Sequence, residues 1–158
     1  MNKHSKRKAY VALPWLQAML TIWLAGCSAP PAEEGIREAL HEMAEAIEAR
    51  QAGPVVRRLS DDFSLHRSSG EMDKEQTRRL LTATLLRYPD IHLALTGISV
   101  LPDGARHDQA QAAFSVLATG GSGALLPETG QLYRVESHWQ LDGGDWILLH
   151  AKARRMLE

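Results

Sequence analysis

The sequence has one cysteine in 158 residues, and that scarcity excludes several classes of protein. A lone cysteine cannot form a disulfide within the chain, and it cannot supply a zinc site of two or four cysteines. The chain also has no HExxH pattern and no glycine-rich phosphate loop. We therefore predict no metal site and no cofactor. A hydrophobic content of 44% suits a folded chain of one domain.

The chain also has no large excess of charge of either sign, since it contains 18 basic and 19 acidic residues. The near-neutral total is the sum of two segments with opposite charge. Residues 1–26 carry four of the basic residues and none of the acids, so the 132 residues from Cys27 onward have a formal charge of -5. An acidic domain of this kind is a poor partner for phosphate backbones, and we expect no nucleic-acid binding.

The N-terminal region has the pattern of an export signal. Residues 1–8 are basic, and residues 9–24 carry no charge. This run of 16 residues is shorter than the roughly 20 that a helix needs to span a bilayer core. A basic segment followed by a short apolar one is typical of a secretory signal peptide.

The apolar run ends in Leu24-Ala25-Gly26-Cys27. An aliphatic residue, two small residues and a cysteine resemble the lipobox of bacterial lipoproteins. The resemblance implies that a peptidase cleaves before Cys27 and that its thiol receives a diacylglycerol. It also implies that the new amino group receives a fatty acid such as palmitate. The alternative interpretation is a buried structural thiol that happens to follow a glycine.

These boundaries divide the chain into a removed lipoprotein signal peptide (1–26), a tether (27–32) and a folded domain (33–158). The residue after the cysteine is Ser28, not aspartate. In a Gram-negative cell the resemblance implies a lipid-anchored protein of the cell envelope, on the inner leaflet of the outer membrane facing the periplasm. In a Gram-positive cell the same signal implies the outer face of the plasma membrane. The membrane is thus one expected partner.

Two long helices are predicted in the first half of the domain. Apolar residues recur at helical spacing from Ile36 to Ile47, and Gly53-Pro54 ends that helix. A short helical turn at 55–59 and a strand at 61–67 follow. The second helix opens with a capping box from Asp73 to Gln76. We expect its buried stripe to consist of four leucines: Leu80, Leu81, Leu85 and Leu86.

The second half of the domain is predicted to be strands. They cover residues 91–101, 110–119, 132–141 and 146–151, with a loop at 120–130. The sequence Asp142-Gly143-Gly144-Asp145 is a strong hairpin signal between the last two strands. Helices followed by an antiparallel meander indicate the α+β class.

This order of elements resembles the nuclear transport factor 2-like superfamily, which includes SnoaL-like and ketosteroid isomerase-like proteins. The resembling pieces are the helix 36–51, the step Leu59-Ser60-Asp61-Asp62-Phe63, the helix 74–87 and the hairpin 139–148. The resemblance covers about residues 33–155. It implies a curved antiparallel sheet wrapped around helices as a cone with one open end. Such cones often hold a small apolar ligand, and many dimerise through the sheet.

Candidate catalytic residues are few. Asp62, His66 and His150 are the groups that could serve as acid or base. A two-residue turn at 143–144 would set Ser137 opposite His150, on the same face as Trp139 and Leu148. The candidate pocket residues are Phe63, Tyr133, Ser137, Trp139, Leu148 and His150. The aromatic members could equally be core residues, and Asp62 could simply belong to a turn.

Three hypotheses about function remain open. The first is a membrane-anchored lipoprotein with a non-catalytic domain that binds a small apolar ligand or an envelope protein. The second is a small cyclase, isomerase or dehydratase of the SnoaL-like group that uses Asp62, His66 or His150. The third is a structural subunit that forms a homodimer through its sheet. A fold does not by itself choose among them.

Overall fold

The computed structural model describes residues 31–121 and 130–156. The predicted signal peptide, Cys27 and most of the loop 120–130 lie outside these residues. The helices are α1 (Ala32–Glu48), α2 (Ala52–Arg57) and α3 (Lys74–Arg87). The strands are β1 (Leu59–Arg67), β2 (Gly70–Asp73), β3 (Asp90–Pro102), β4 (Gln109–Gly121), β5 (Gln131–Asp142) and β6 (Asp145–Arg155). The predicted α+β class is confirmed.

Helix α1 is amphipathic, as its sequence period predicts. Its buried face includes Ile36, Ala39, Leu40 and Ala46. Its outward face is acidic and carries six exposed glutamates: Glu33, Glu34, Glu38, Glu42, Glu45 and Glu48. The apolar face packs mainly along β3, inside the curve of the sheet.

Helix α3 begins with the predicted capping box. The Asp73 carboxylate accepts from the backbone N–H of Gln76 at 2.7 Å, and the Gln76 side chain accepts from the N–H of Asp73 at 3.0 Å. The predicted leucine stripe is wrong in part, because Leu85 is buried but Leu80 and Leu86 are 38% and 81% exposed. The helix packs mainly against β1, α2 and β2 and presents part of the stripe to solvent.

The six strands form one sheet in the order β2-β1-β6-β5-β4-β3. All neighbours are antiparallel except β1 and β6, which are parallel. The predicted meander β3 to β6 is confirmed. The short strand β2 was not predicted, and Leu59, expected in a helical turn, begins β1.

A β-bulge in β6 overturns one predicted contact. Near the hairpin the pairing is as expected, with Trp139 opposite Leu148. The register then shifts, and Leu149 is the additional residue on β6. His150 therefore faces His138, and it lies on the outer face of the sheet. The predicted pair of Ser137 and His150 is wrong, since a one-residue shift moves a side chain to the opposite face.

The core occupies one end of the cone. Ile36 and Trp139 are 0% and 1% exposed. They pack with Phe63, Phe114, Trp146 and Leu148. Within this core the Trp139 Nε1–H donates to Ser137 Oγ at 2.9 Å, and the Ser137 hydroxyl donates to the Ala112 carbonyl at 3.0 Å. The Trp139 indole and the Ser137 hydroxyl thus each have a partner, whereas the buried Trp146 Nε1, Ser60 Oγ and Thr77 Oγ1 atoms have none among the described residues.

Two contacts fix the direction of α1 along β3. Arg37 Nη2 donates to the Ile98 carbonyl at 3.5 Å, and the Glu48 carboxylate accepts from the Leu93 N–H at 2.7 Å. From Arg37 to Glu48 the helix rises about 16 Å, at about 1.5 Å per residue, and from Ile98 back to Leu93 the strand covers the same distance, at about 3.3 Å per residue. Because the residue numbers increase along the helix while they decrease along the strand, the two elements run antiparallel side by side. Helix α1 therefore begins near the hairpin 102–109 and ends near the start of β3.

We call the end with the hairpins 102–109 and 142–145 the closed end, and the opposite end the open end. The open end is formed by the start of β3, the end of β4 and the start of β5. Among the helices described, none is long and apolar enough to cross a membrane.

Candidate functional site

An apolar cleft lies at the open end of the cone. Its volume is about 350 Å³, within the range of small-molecule sites. The helices and the residue after α3 contribute Ile47, Leu81, Thr84, Leu85 and Tyr88, and the strands contribute Ile91, Leu93, Ala118, Thr119, Gly120, Gln131 and Tyr133.

The cleft exists because the sheet is lined there by side chains of unequal size. Leu93 and Tyr133 supply bulk on β3 and β5, whereas Ala118 on β4 leaves space between them. A Cβ atom on Gly120 would lie 3.0 Å from the Asp90 carbonyl oxygen. Glycine at this position lets β3 and β4 approach closely at the rim. The result is a hollow that the larger core side chains of the closed end do not fill.

The described residues of the lining contain hydrogen-bonding groups but no charge. The Tyr133 hydroxyl donates to the Gln131 side-chain carbonyl. The Thr84 hydroxyl donates to the Leu80 carbonyl within α3 at 2.9 Å. Among the described lining residues there is no histidine, carboxylate, lysine or arginine. A site of this composition suits a neutral apolar molecule with at most one or two polar groups.

The candidate acids and bases on β1 lie elsewhere. Asp62 is exposed and does not line the cleft. His66 is also exposed, and its Nε2 atom lies 3.3 Å from the Glu71 carboxylate on β2. Neither residue is brought to the apolar cleft.

His150 lies on the outer face of the sheet, with its Nδ1 atom 3.0 Å from Ser64 Oγ. Its ring meets that of His138 edge to face, with centroids 6.4 Å apart. Both histidines are exposed. A serine and a histidine in contact form only part of a nucleophilic site, which also needs an orienting group and oxyanion donors.

Four of the candidate pocket residues belong to the core: Phe63, Ser137, Trp139 and Leu148. Only Tyr133 of the predicted set lines the cleft. The remaining lining residues were missed, although two local signals mark the place. Small residues at Ala118 and Gly120 interrupt an apolar strand, and Tyr88-Pro89 ends α3 beside it.

Three other hollows are larger but have charged residues in their linings. The first, of about 440 Å³, adjoins Arg58, and the second, of about 460 Å³, adjoins Lys74. The third, of about 390 Å³, adjoins Asp103 and Arg106 in the hairpin 102–109. Arg58 pairs with Glu42 and with Asp145, at 2.5 and 2.8 Å. Partial burial acts to lower the pKa of Arg58, but these two partners outweigh it, and the pKa is raised.

Lys74 likewise donates to the Asp61 carboxylate at 3.0 Å. Arg58 and Lys74 are therefore paired with carboxylates, whereas Arg57, which lines the first two hollows, is in no ion pair among the described residues. The described lining of the apolar cleft carries no charge, which makes it the better candidate for a neutral ligand. Within residues 31–121 and 130–156, no group of three or more histidine, cysteine, aspartate or glutamate residues could hold a metal ion.

Comparison with known proteins defines the fold. No family model matches the chain, and no curated protein matches it by sequence. Among solved structures, one similar chain is a provisionally assigned scytalone dehydratase from Novosphingobium aromaticivorans, with a TM-score of 0.71 and 11% sequence identity. The match covers 78% of this chain and 83% of the dehydratase chain.

A provisionally assigned dehydratase of the NTF2-like family from Streptomyces avermitilis has a TM-score of 0.69 and 18% identity, over 80% of this chain and 96% of that one. An NTF2-like protein of unknown function from Pseudomonas putida has a TM-score of 0.65 and 18% identity, over 80% and 88%. The chain thus has the nuclear transport factor 2-like fold that its element order resembles. At these identities the likeness describes the fold alone.

Proposed function

We propose that this chain is a lipid-anchored cell-envelope protein whose domain binds a small, neutral, mostly apolar molecule in the cleft at the open end. The observation that carries the binding proposal is the cleft of about 350 Å³ with an uncharged lining. Burial of apolar ligand surface contributes roughly 25 cal/mol per Å², and the Tyr133–Gln131 pair offers a polar contact that orients the ligand.

The enzyme hypothesis ranks second. Two similar structures carry the name of a dehydratase, but at 11% and 18% identity. A dehydratase needs a group that moves a proton within hydrogen-bond reach of its substrate. Asp62 and His66 are exposed away from the cleft, and His150 lies on the outer sheet face. Binding without catalysis therefore agrees best with the position of these groups.

The anchor is proposed from Leu24-Ala25-Gly26-Cys27. Two or three acyl chains would hold the domain at the membrane, since each buried methylene contributes about 0.8 kcal/mol. We expect the precursor to incorporate radioactive palmitate and the Cys27→Ala precursor to remain uncleaved and unlabelled. Normal cleavage of Cys27→Ala would contradict the proposed anchor.

Ligand binding can be tested with a neutral fluorescent probe, N-phenyl-naphthylamine, on the full lipidated protein in detergent. We expect Ala118→Phe to fill the cleft and weaken probe binding by about tenfold or more, which corresponds to about 1.4 kcal/mol. Ala94→Phe is the matched control, because Ala94 is an exposed residue of neighbouring β3 that does not line the cleft.

Native mass spectrometry of protein purified from its own envelope is the second measurement. A bound small molecule that is lost in Ala118→Phe but kept in Ala94→Phe would support the proposal. Equal probe affinity in both variants, with no retained molecule, would contradict it.

A further inference from the structure

The proposed anchor and the fold together restrict how the domain can face its membrane. This inference rests on the proposed function and goes beyond it. Cys27 is four residues from Pro31, and Ala32 is already the first residue of α1. However residues 28–30 are arranged, four residues reach at most about 14 Å. Pro31, which immediately precedes α1, must therefore stay within that distance of the lipid-bearing residue.

Helix α1 separates the anchor from the cleft. Its first turn lies at the closed end, beside the hairpin 102–109, as the contacts of Arg37 and Glu48 with β3 require. Its last turn supplies Ile47 to the cleft lining. With 17 residues, the helix is about 25 Å long, since each residue adds about 1.5 Å. The open end is thus a full helix length farther from the anchor than the closed end.

The charge on α1 opposes a pose in which the helix lies flat on the bilayer. Six exposed glutamates, from Glu33 to Glu48, lie on its outward face, where Arg37 and His41 are the basic residues of the helix and Arg58 pairs with Glu42. Bilayers with anionic lipids have a negative surface potential that repels such a face within about a Debye length. This repulsion disfavours a rotation about the short tether that would lay the α1 side of the domain, and with it the open end, against the membrane.

We propose that the domain stands on its membrane with the closed end toward the lipid headgroups and the cleft opening away from them. The cleft then exchanges its ligand with the aqueous compartment, not with the bilayer that holds the anchor. The surface next to the headgroups is the hairpin 102–109.

The single cysteine makes this orientation measurable, because acylation of Cys27 leaves no other thiol in the chain. A new cysteine is then the unique site for a thiol-reactive fluorophore. Gly104→Cys marks the closed end, where nothing lies within 4 Å of a Cβ atom on this residue. Leu86→Cys marks the open end, at a side chain that is 81% exposed and does not line the cleft.

Each labelled, fully lipidated protein is placed in vesicles of phosphatidylethanolamine and phosphatidylglycerol that carry a headgroup-attached quencher. We expect quenching at residue 104 to exceed that at residue 86 by roughly twofold or more, because one helix length of about 25 Å separates the two ends. Inserting a long Gly-Ser linker after Ser28 should remove this difference, since the tether would then allow either end to approach.

Three outcomes overturn the proposal. Equal or stronger quenching at residue 86 means that the open end faces the bilayer, as direct uptake of lipids would require. A difference that survives the long linker means that a surface, not the tether, sets the pose. Protein that fails to float with the vesicles overturns both the anchor and the orientation, whereas the binding assay with Ala118→Phe tests the cleft independently.

Discussion

Trp139 and Tyr133 lie on the same face of the same strand, yet their surroundings differ. Trp139, toward the closed end, is 1% exposed and packs among the large side chains of the core. Tyr133, six residues earlier and so about 20 Å away at 3.3 Å per residue, borders the open cleft. The alternation of β5 is regular through both positions.

The difference shows that the alternation of residues along a strand decides which side chains point inward, but not whether other side chains pack against them. At the closed end the bulky residues of β1, β4, β5 and β6 interdigitate with α1. At the open end Ala118 and Gly120 are too small to fill the gap between α3 and the sheet. The closed half therefore supplies stability, and the open half supplies the candidate site.

The largest expected loss of stability follows from truncating Trp139, and truncation of Tyr133 is the direct comparison. Trp139→Ala should cost about 3–5 kcal/mol of unfolding free energy, as for other buried aromatic truncations. Tyr133→Ala should cost less than half as much, because its ring already borders a hollow. Urea unfolding of both variants measures the difference. Similar losses would mean that the open half is packed as tightly as the closed half.

The buried hydroxyl of Ser137 should have the next largest effect. Ser137→Ala leaves the Trp139 Nε1–H without its acceptor, which should cost about 1–3 kcal/mol. Ser99→Ala, on the exposed outer face of β3, is the control and should change stability by no more than about 0.5 kcal/mol. In a Trp139→Phe background the Ser137→Ala cost should shrink. An unchanged cost would indicate that the contact between the two side chains is not the cause.

A smaller effect is expected at Arg58, which joins α1 to the hairpin 142–145 through Glu42 and Asp145. Arg58→Met should lower the unfolding free energy by about 1 kcal/mol, because both partners are largely solvated. The loss should diminish at high salt, which screens such pairs. Arg78→Met removes only an exposed pair with Glu75 within α3 and should have no measurable effect. Equal losses in both variants would contradict a bridging role.

The smallest effect is expected in the hairpin at the closed end. The Asp103 carboxylate accepts from the N–H groups of Ala105 and Arg106, and these bonds hold its pKa below the ordinary value. A lowered pKa stabilises the fold above the ordinary value of about 3.9, and this contribution is lost as the pH falls through the folded pKa.

Asp103→Ala should therefore lower Tm slightly at neutral pH, and the difference from the unmodified protein should shrink in acid. Asp103→Asn is the control, because the amide oxygen still accepts both hydrogen bonds but does not titrate. A Tm difference for Asp103→Ala that is independent of pH would rule out the carboxylate charge as its source.

Sequence reasoning recovered the elements whose causes are local. The period of α1, the capping box from Asp73 to Gln76 and the turn at Gly143-Gly144 each depend on residues a few positions apart. The α+β order followed from them. These features are predictable because helix periodicity, caps and tight turns depend on near neighbours along the chain.

The misjudged features depend on contacts between distant segments. The bulge at Leu149 occurs where β6 pairs with β5 on one side and parallel β1 on the other, and it turns His150 outward. Leu86 is exposed because α3 packs against β1, β2 and α2 with its other face, which carries Leu85. Neither arrangement has a signal in the local sequence, since each results from how separate elements are spaced.

By itself, the sequence determined the difference in charge between residues 1–26 and the acidic remainder, together with the helices, the strands and most of their inward faces. The tertiary structure alone decided which inward-facing residues form a packed core and which border a cleft. The physical reason is that charge and periodicity belong to the chain, whereas filled and unfilled volume depends on how closely α1, α3 and the curved sheet approach one another.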